Sequence, residues 1–242
     1  MNNSVSNLIN LNGRRTLLTG AFGGFGRAIL DLFVQHGQEI TAISRRRIDA
    51  TEAGVNVTCV QLDLKDHECV DSFIKNSEPF DNVVFCHGNH LVTPVPLVTI
   101  AAVNEFFDTN LTTRINLISN LTKYKKIAQP GRIVNISSIS AHYASKLVPI
   151  YSSAHAASET YMRSTAKYFL KKNVTVNSVA VNAIATPLWG EQSSNHPVFD
   201  VPLGKGEADD VARSVYFLCQ KGSTFITGEP LLLTGGQRDV FE

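Results

Sequence analysis

The sequence has few cysteines and no long apolar run. Its four cysteines are Cys59, Cys69, Cys86 and Cys219, and they show neither CxxC nor Cys/His ligand spacing. This pattern predicts no disulfide framework and no metal site, so we expect reduced thiols. No stretch reaches the roughly 20 apolar residues of a membrane span, and the polar start is not typical of a signal peptide. We therefore expect a soluble cytoplasmic protein without membrane attachment.

The sequence also lacks an excess of charge of either sign. Its 22 basic and 21 acidic side chains leave a formal net charge of +1. The basic residues are scattered, which argues against a nucleic-acid surface or an anionic membrane surface. The one local basic run is Arg45-Arg46-Arg47, and such runs are usually solvated turns.

Short β-branched or apolar segments recur along the whole chain and alternate with segments of helical period. The predicted strands are residues 16–19, 40–44, 57–62, 83–86, 132–136, 174–180 and 230–233. Two longer segments, 101–129 and 151–172, are predicted to be helical. Strand-helix alternation indicates an α/β fold of the Rossmann type, a doubly wound parallel sheet of about seven strands with helices on both faces. We expect residues 1–242 to form a single dinucleotide-binding and catalytic domain, with 189–203 as a substrate lid loop.

A glycine-rich turn joins the first predicted strand to the first helix. It reads Thr19-Gly20-Ala21-Phe22-Gly23-Gly24-Phe25-Gly26. Its glycines permit positive φ and close approach of the backbone, so that a pyrophosphate can lie on the helix N-terminus. Glycines alone are weak support, but the strand-turn-helix context is the one that this motif requires. Gly20, Phe22, Gly24, Phe25 and Gly26 are therefore predicted to bind a dinucleotide.

The end of the second predicted strand indicates which dinucleotide binds. NAD-binding folds usually place there an acidic residue that accepts from the ribose 2′-hydroxyl, whereas this chain has Ser44, Arg45 and Arg46. A guanidinium can instead bind a 2′-phosphate through charge-assisted hydrogen bonds. We therefore predict NADP(H) as the cofactor. Asp63, followed by Leu64, suits an adenine contact, although an Asp at a strand end is often only a turn former.

The motifs together resemble the short-chain dehydrogenase/reductase family across residues 15–236. The turn matches TGxxxGxG, and Tyr151 lies thirteen positions after Ser138, which is the family's spacing of catalytic Ser and Tyr. Matching positions for the family's other functional residues are the adenine-side Asp63, the active-site Asn110 and the carboxamide-contacting Thr186. The resemblance implies that Tyr151 exchanges a proton with a carbonyl or alcohol oxygen, that Ser138 hydrogen-bonds the same oxygen, and that Asn110 supports a proton relay.

The chain departs from the family where a lysine should follow the tyrosine by four positions. His155 stands there, so the motif is Tyr-x-x-x-His. A phenol titrates near pH 10 and needs a nearby cation to be an efficient acid-base group at neutral pH. An unperturbed imidazole is only about a quarter protonated at pH 7. His155 is thus predicted both as a catalytic residue and as a ribose contact. Because it is mostly neutral, we expect it to lower the pKa of Tyr151 less than a lysine would.

Two more departures fall near the nicotinamide end of the predicted cofactor site. The family's NNAG reads Phe85-Cys86-His87-Gly88, and its Pro-Gly after the sixth strand reads Val181-Asn182. We expect His87 and Gly88 to lie at the cofactor, with His87 in a packing or backbone role rather than a catalytic one. The adenine half of the pattern is nearly intact, while the nicotinamide half is altered.

Three functions are consistent with these residues. The first is an NADP(H)-dependent oxidoreductase that interconverts a ketone and a secondary alcohol, with a small carbonyl or alcohol compound as substrate. The second is a non-catalytic or regulatory relative that binds cofactor but has lost efficient hydride transfer, and the third is a non-redox dehydratase or isomerase. The apolar surface of segments 101–129 and 151–172, together with the resemblance, implies a homo-oligomer, either a tetramer or a dimer.

Overall fold

The computed structural model describes residues 11–143, 146–182, 184 and 201–237. The strands are β1 (Arg15–Thr19), β2 (Glu39–Ser44), β3 (Val57–Gln61), β4 (Phe80–Phe85), β5 (Ile127–Ser138), β6 (Val174–Val181) and β7 (Pro230–Leu233). The helices are α1 (Gly24–Gln35), α2 (Ala50–Ala53), α3 (His67–Asn76), α4 (Ile100–Phe107), α5 (Thr113–Lys123), α6 (Pro149–Phe169) and α7 (Ala208–Cys219). A π-helix, Asp108–Thr112, joins α4 to α5, and 3₁₀ turns lie at Val95–Leu97, Ile139–Ala141, Leu170–Lys172 and Lys221–Ser223.

The seven strands form one sheet in the order β3-β2-β1-β4-β5-β6-β7. Every neighbouring pair is parallel. The strand order reverses between β1 and β4, so the connections after these two strands diverge and leave a crevice at their carboxyl ends. This is where open α/β sheets bind their ligands. The predicted fold class is confirmed.

Helices cover both faces of the sheet and bury two separate cores. On one face α1 and α7 pack together through Ile29, Phe33, Val211 and Val215. On the other face α3, α5 and α6 cover a core that includes Ile74, Leu117, Leu121, Met162 and Phe169. Burial on both faces explains why the central strands are apolar runs rather than alternating patterns.

The helix predicted at 101–129 is wrong in its extent. The segment consists of α4, the π-helix and α5, and the helix ends at Lys123 before β5 begins at Ile127. The chain leaves the helix through Lys125, which has φ 55°. Glycine or asparagine usually marks such a left-handed residue, so a lysine here is no stop signal for the helix. The helix predicted at 151–172 agrees with α6 and the 3₁₀ turn that follows it.

Within the residues that the structure describes, no helix combines the length and apolar character that a membrane span requires.

Candidate active site

Two cavities adjoin at the carboxyl ends of the strands, with volumes of about 620 and 420 Å³. His87 and Gly88 line both. The other predicted site residues in the larger cavity are Phe22, Gly24, Phe25, Gly26, Asn110, Ser138, Tyr151 and His155. Those in the smaller cavity are Gly20, Phe22, Ser44, Arg45, Arg46, Asp63 and Leu64. Thr186 and most of the predicted lid lie outside the described residues.

The glycine-rich turn forms a close-packed cradle at the start of α1. Gly20 has φ 69°, and a Cβ added there would lie 2.7 Å from the backbone of His87. A Cβ on Gly26 would lie 1.9 Å from the carbonyl oxygen of Gly20. Gly23, the N-cap of α1, makes no side-chain capping bond, so the first N–H groups of the helix remain available to an anion. This geometry fits a dinucleotide pyrophosphate.

The smaller cavity presents basic side chains at the end of β2. Arg46 is paired with Glu52 in a two-pronged contact and lies 5.8 Å from the ring centroid of Phe22. Arg45 is exposed and lines the cavity. The geometry thus separates two arginines that are equivalent in sequence, since only Arg46 has an acidic partner among the described residues.

Asp63 forms a local turn and lies in the wall of the smaller cavity. Its side chain accepts a hydrogen bond of 3.0 Å from the backbone N–H of Lys65, which is the action of a turn former. It also lines the smaller cavity next to Leu64. Lys65 lies in the same wall, paired with Glu105 and, at 3.6 Å, with Asp108.

Ser138 and Tyr151 come together in the larger cavity. Ser138 is the last residue of β5, and Tyr151 lies in the first turn of α6. Burial raises the pKa of the Tyr151 phenol, while the neighbouring Ser138 hydroxyl and the charge of Arg114 act to lower it. A phenol held against a serine hydroxyl can donate a proton to an oxygen that both groups contact.

His155 is buried one helical turn after Tyr151. The two ring centroids are 4.3 Å apart. Burial, with smaller effects of Arg114 and His90, lowers the pKa of His155 to about 3. The ring is therefore neutral at pH 7, whereas an unperturbed imidazole would be partly protonated, and it cannot supply the missing lysine charge.

Asn110 is placed by the five-residue π-helix. Its amide donates to the Asn89 side chain at 2.6 Å and to the Phe106 carbonyl at 2.9 Å, and its side-chain oxygen accepts from the Asn89 backbone N–H. Its own carbonyl accepts a hydrogen bond from Arg114. Such π-helical turns often mark functional sites, because they direct backbone groups out of the regular ladder.

His87 is held between two threonines. Nδ1 lies 2.6 Å from the Thr19 hydroxyl and Nε2 lies 2.9 Å from the Thr113 hydroxyl. Thr113 donates to the Thr109 carbonyl, so Nε2 of the neutral ring donates to Thr113. Nδ1 then accepts the single Thr19 hydroxyl proton at 2.6 Å, in preference to the Val84 carbonyl, which lies 3.3 Å from the same hydroxyl. Burial, together with the charge of Arg114, lowers the pKa of His87 well below its usual range. These contacts support the packing role that we expected.

Arg114 is the main site residue that the sequence analysis missed. It lies on α5, is 2% exposed and lines the larger cavity. Nε donates to the Asn135 side chain at 3.0 Å, and the two terminal nitrogens donate to the carbonyls of Asn110 and His87. A signal was available, because Arg114 follows Asn110 by four residues in a helical segment and therefore shares its face.

A parallel α/β sheet with a glycine cradle, a Ser/Tyr pair and a crevice at the strand-order reversal defines a dinucleotide-dependent oxidoreductase class. Residues 14–197 match the family "short chain dehydrogenase". The chain belongs to this family.

Similar proteins extend over nearly the whole chain. D-erythrulose reductase of Gallus gallus is 31% identical, with 94% of this chain and 97% of that protein covered. L-xylulose reductase of Mus musculus is also 31% identical, covering 94% of this chain and 98% of that protein. A solved structure described as a short chain dehydrogenase/reductase family protein is 27% identical with a TM-score of 0.85, covering 95% of this chain and 99% of that one.

Proposed function

We propose that the protein is an NADP(H)-dependent oxidoreductase that interconverts a ketone and a secondary alcohol. The observation that carries this proposal is the larger cavity, which is lined by Ser138 and Tyr151 and also by residues of the glycine-rich turn. A nicotinamide bound at the cradle would extend into this cavity and would supply the hydride. The same cavity would hold the substrate oxygen against Ser138 and Tyr151.

Each catalytic side chain has one task in this reaction. Tyr151 donates its phenolic proton to the oxygen that was the carbonyl, and takes a proton back in the reverse direction. Ser138 donates a hydrogen bond to the same oxygen and so fixes its distance from the phenol. Asn110 holds the loop after β4 through Asn89 and supports proton exchange at this end of the cavity. His155 offers a neutral ring to the cofactor ribose.

The substrate is proposed to be a small ketone that carries hydroxyl groups. Two relatives are named as reductases of the keto sugars D-erythrulose and L-xylulose. The cavity wall here includes Asn89, His90, Ser140 and Asn182, whose polar groups suit hydroxyl-bearing compounds.

The experiment has a binding step and a turnover step. Titrations of NADPH and NADH, followed by cofactor fluorescence, measure binding alone. A panel of small ketones, from keto sugars to unsubstituted alkanones, is then tested for oxidation of the bound NADPH. We expect tighter binding of NADPH and turnover of at least one hydroxy ketone, and Tyr151→Phe should bind NADPH normally without turnover. Binding without turnover across the panel would favour a non-catalytic or regulatory role, for which the neutral His155 is the supporting observation.

A homo-oligomer, as a dimer or a tetramer, is part of the proposal. Of the two segments named for this contact, 151–172 exposes Tyr168 and Leu170, which are 56% and 60% exposed. Closed symmetric association would cover such residues. Light scattering tests this, and a monomer at micromolar concentration would contradict it.

A further inference from the structure

Tyr151 lies in surroundings that oppose ionisation of its phenol. Its ring packs against Phe106 at a centroid distance of 5.9 Å, His90 at 4.9 Å and His155 at 4.3 Å. Partly buried Leu91 and Val103 complete the apolar cluster. A phenol that must lose a proton in such a place needs a positive charge nearby.

The titratable neighbours of Tyr151 are nearly all neutral. Burial lowers the pKa of His90, which follows β4, and lowers that of His155 on α6 to about 3. Cys86 and His87, at the end of β4, are further groups at this end of the cavity, and burial raises the pKa of the Cys86 thiol to about 12. The Ser138 hydroxyl on β5 is a further polar neighbour. None of these groups carries charge at pH 7.

Arg114, on α5, lines the same cavity as Tyr151 and is the exception within the described part of the chain. Burial lowers its pKa to about 10, which leaves the guanidinium protonated at neutral pH. Its acceptors are one side-chain amide and two backbone carbonyls, all of them uncharged. No carboxylate of the described residues pairs with it, in contrast to Arg46 and Glu52. The positive charge is therefore fixed in position without being neutralised.

We propose that Arg114 is the positioning residue that supplies the permanent positive charge of this site and acts through Tyr151. When Tyr151 gives its proton to the substrate oxygen, the guanidinium stabilises the phenolate that remains. His155, one turn along α6, stays neutral throughout. The catalytic part of this inference rests on the proposed function, but the effect of Arg114 on the phenol does not.

The three hydrogen bonds of Arg114 explain why its charge stays where it is needed. They join the guanidinium to β5 through Asn135, to the π-helix through Asn110 and to the end of β4 through His87. A purely structural arginine would use the same bonds, so the charge and the bonds must be tested separately. Arg132 offers the control, since it is also buried and donates to the carbonyls of Gln220 and Gly131.

The test measures the Tyr151 phenol directly in the protein without cofactor. The tyrosines are replaced biosynthetically by 3-fluorotyrosine, which brings the phenol pKa into an accessible range, and each fluorine signal is titrated by NMR. The chain has six tyrosines, and the Tyr151 signal is the one missing from Tyr151→Phe. Arg114→Gln and Arg114→Met remove the charge, Arg114→Lys keeps it with fewer bonds, and Arg132→Gln is the control.

We expect the Tyr151 pKa to rise by roughly one to two units in Arg114→Gln and Arg114→Met. It should stay within about half a unit in Arg114→Lys and should not move in Arg132→Gln. An unchanged pKa in the charge-removing variants overturns the proposal. So does a shift in Arg114→Lys as large as that in Arg114→Gln, because the bonds rather than the charge would then matter. If one charge-removing variant does not fold, the other decides.

A kinetic measurement separates this inference from the proposed function. If the ketone panel finds a substrate, the alkaline limb of the pH-rate profile should move by the same amount as the phenol pKa in each variant, and Arg114→Lys should restore most of the rate. If the panel finds none, the proposed function fails while the fluorine titration still decides the role of Arg114.

Discussion

Two adjacent arginines at the end of β2 have different surroundings. Arg46 is bound by Glu52, and this pairing raises its pKa while lowering that of Glu52. Arg45 lines the smaller cavity and has no acidic side-chain partner among the described residues. A 2′-phosphate would therefore meet the free guanidinium of Arg45 first, with Arg46 available only if Glu52 releases it.

We expect NADPH to bind ten- to a hundred-fold more tightly than NADH, since charge-assisted bonds from Arg45 are worth about 1.5 to 3 kcal/mol. Arg45→Asp should reverse the preference, because a carboxylate repels the phosphate and accepts from a ribose hydroxyl. Fluorescence titration with both cofactors measures this. Arg47→Asp makes the same change of charge at an exposed neighbour, and it should leave the preference nearly intact. Equal affinity of the unaltered protein for both cofactors would contradict the assignment.

His155 shows how burial changes the role that a residue type suggests. An imidazole in solution responds to pH near 6.5, but this ring is buried against Tyr151 and its pKa is about 3. The rate of reduction should therefore show no inflection near pH 6.5 that belongs to His155. The check compares pH-rate profiles of the unaltered protein and His155→Gln between pH 5 and 8. An inflection near pH 6.5 that disappears in His155→Gln would show that the ring is charged during turnover.

At the scale of elements, the site depends on how closely α1 approaches β1. Gly26, in the first turn of α1, lies against the carbonyl of Gly20, with no room for a side chain. This contact sets the direction of the helix N-terminus towards the cavity. The phosphate cradle is thus a consequence of packing between two elements as much as of backbone freedom.

Gly26→Ala should destabilise the protein by about 3 kcal/mol, because the added Cβ forces α1 away from the turn. NADPH binding should weaken at least tenfold as the N–H groups move. Urea denaturation and fluorescence titration measure the two effects. Gly222→Ala is the matched control, since a Cβ there meets nothing within 4 Å. A normal cofactor affinity in Gly26→Ala would mean that the cradle does not bind the pyrophosphate.

The sequence was sufficient for features that depend on local pattern. The apolar strands, the glycine turn and the spacing of Ser138 and Tyr151 are all readable without a structure. The sequence was not sufficient for features that depend on tertiary contacts. Nothing local marks Lys125 as the left-handed residue that follows α5, and nothing in the sequence shows that Glu52 binds Arg46 rather than Arg45. The spacing places Arg114 on the helix face of Asn110, but it does not show that Arg114 is buried, because that burial depends on contacts with β4 and β5.

At the scale of the whole molecule, the crevice at the carboxyl ends of the strands holds two histidines whose pKa values are lowered. His155 is buried there and His87 is partly buried, and loss of solvation is the largest cause of their lowered pKa values. The unfolded chain has no such restriction and would protonate both near pH 6.5. Because the folded protein keeps these rings neutral while the unfolded chain can protonate them, acid lowers the free energy of unfolding.

We expect the free energy of unfolding to fall as pH drops below about 6.5, because the unfolded state then binds protons that the folded state does not. For His155, with a folded-state pKa of about 3, the loss continues down to that pH and amounts to about 2 kcal/mol at pH 5. Above pH 6.5 the ring is neutral in both states and contributes no pH dependence. Urea denaturation at pH 7 and pH 5 measures the difference in the free energy of unfolding between the two pH values. His155→Gln should reduce this difference by about 2 kcal/mol. His67→Gln, at an exposed position of α3, is the control and should reduce it little. If His155→Gln leaves the difference between the two pH values unchanged, His155 is protonated in the folded protein, and the neutral-ring account of the site fails with it.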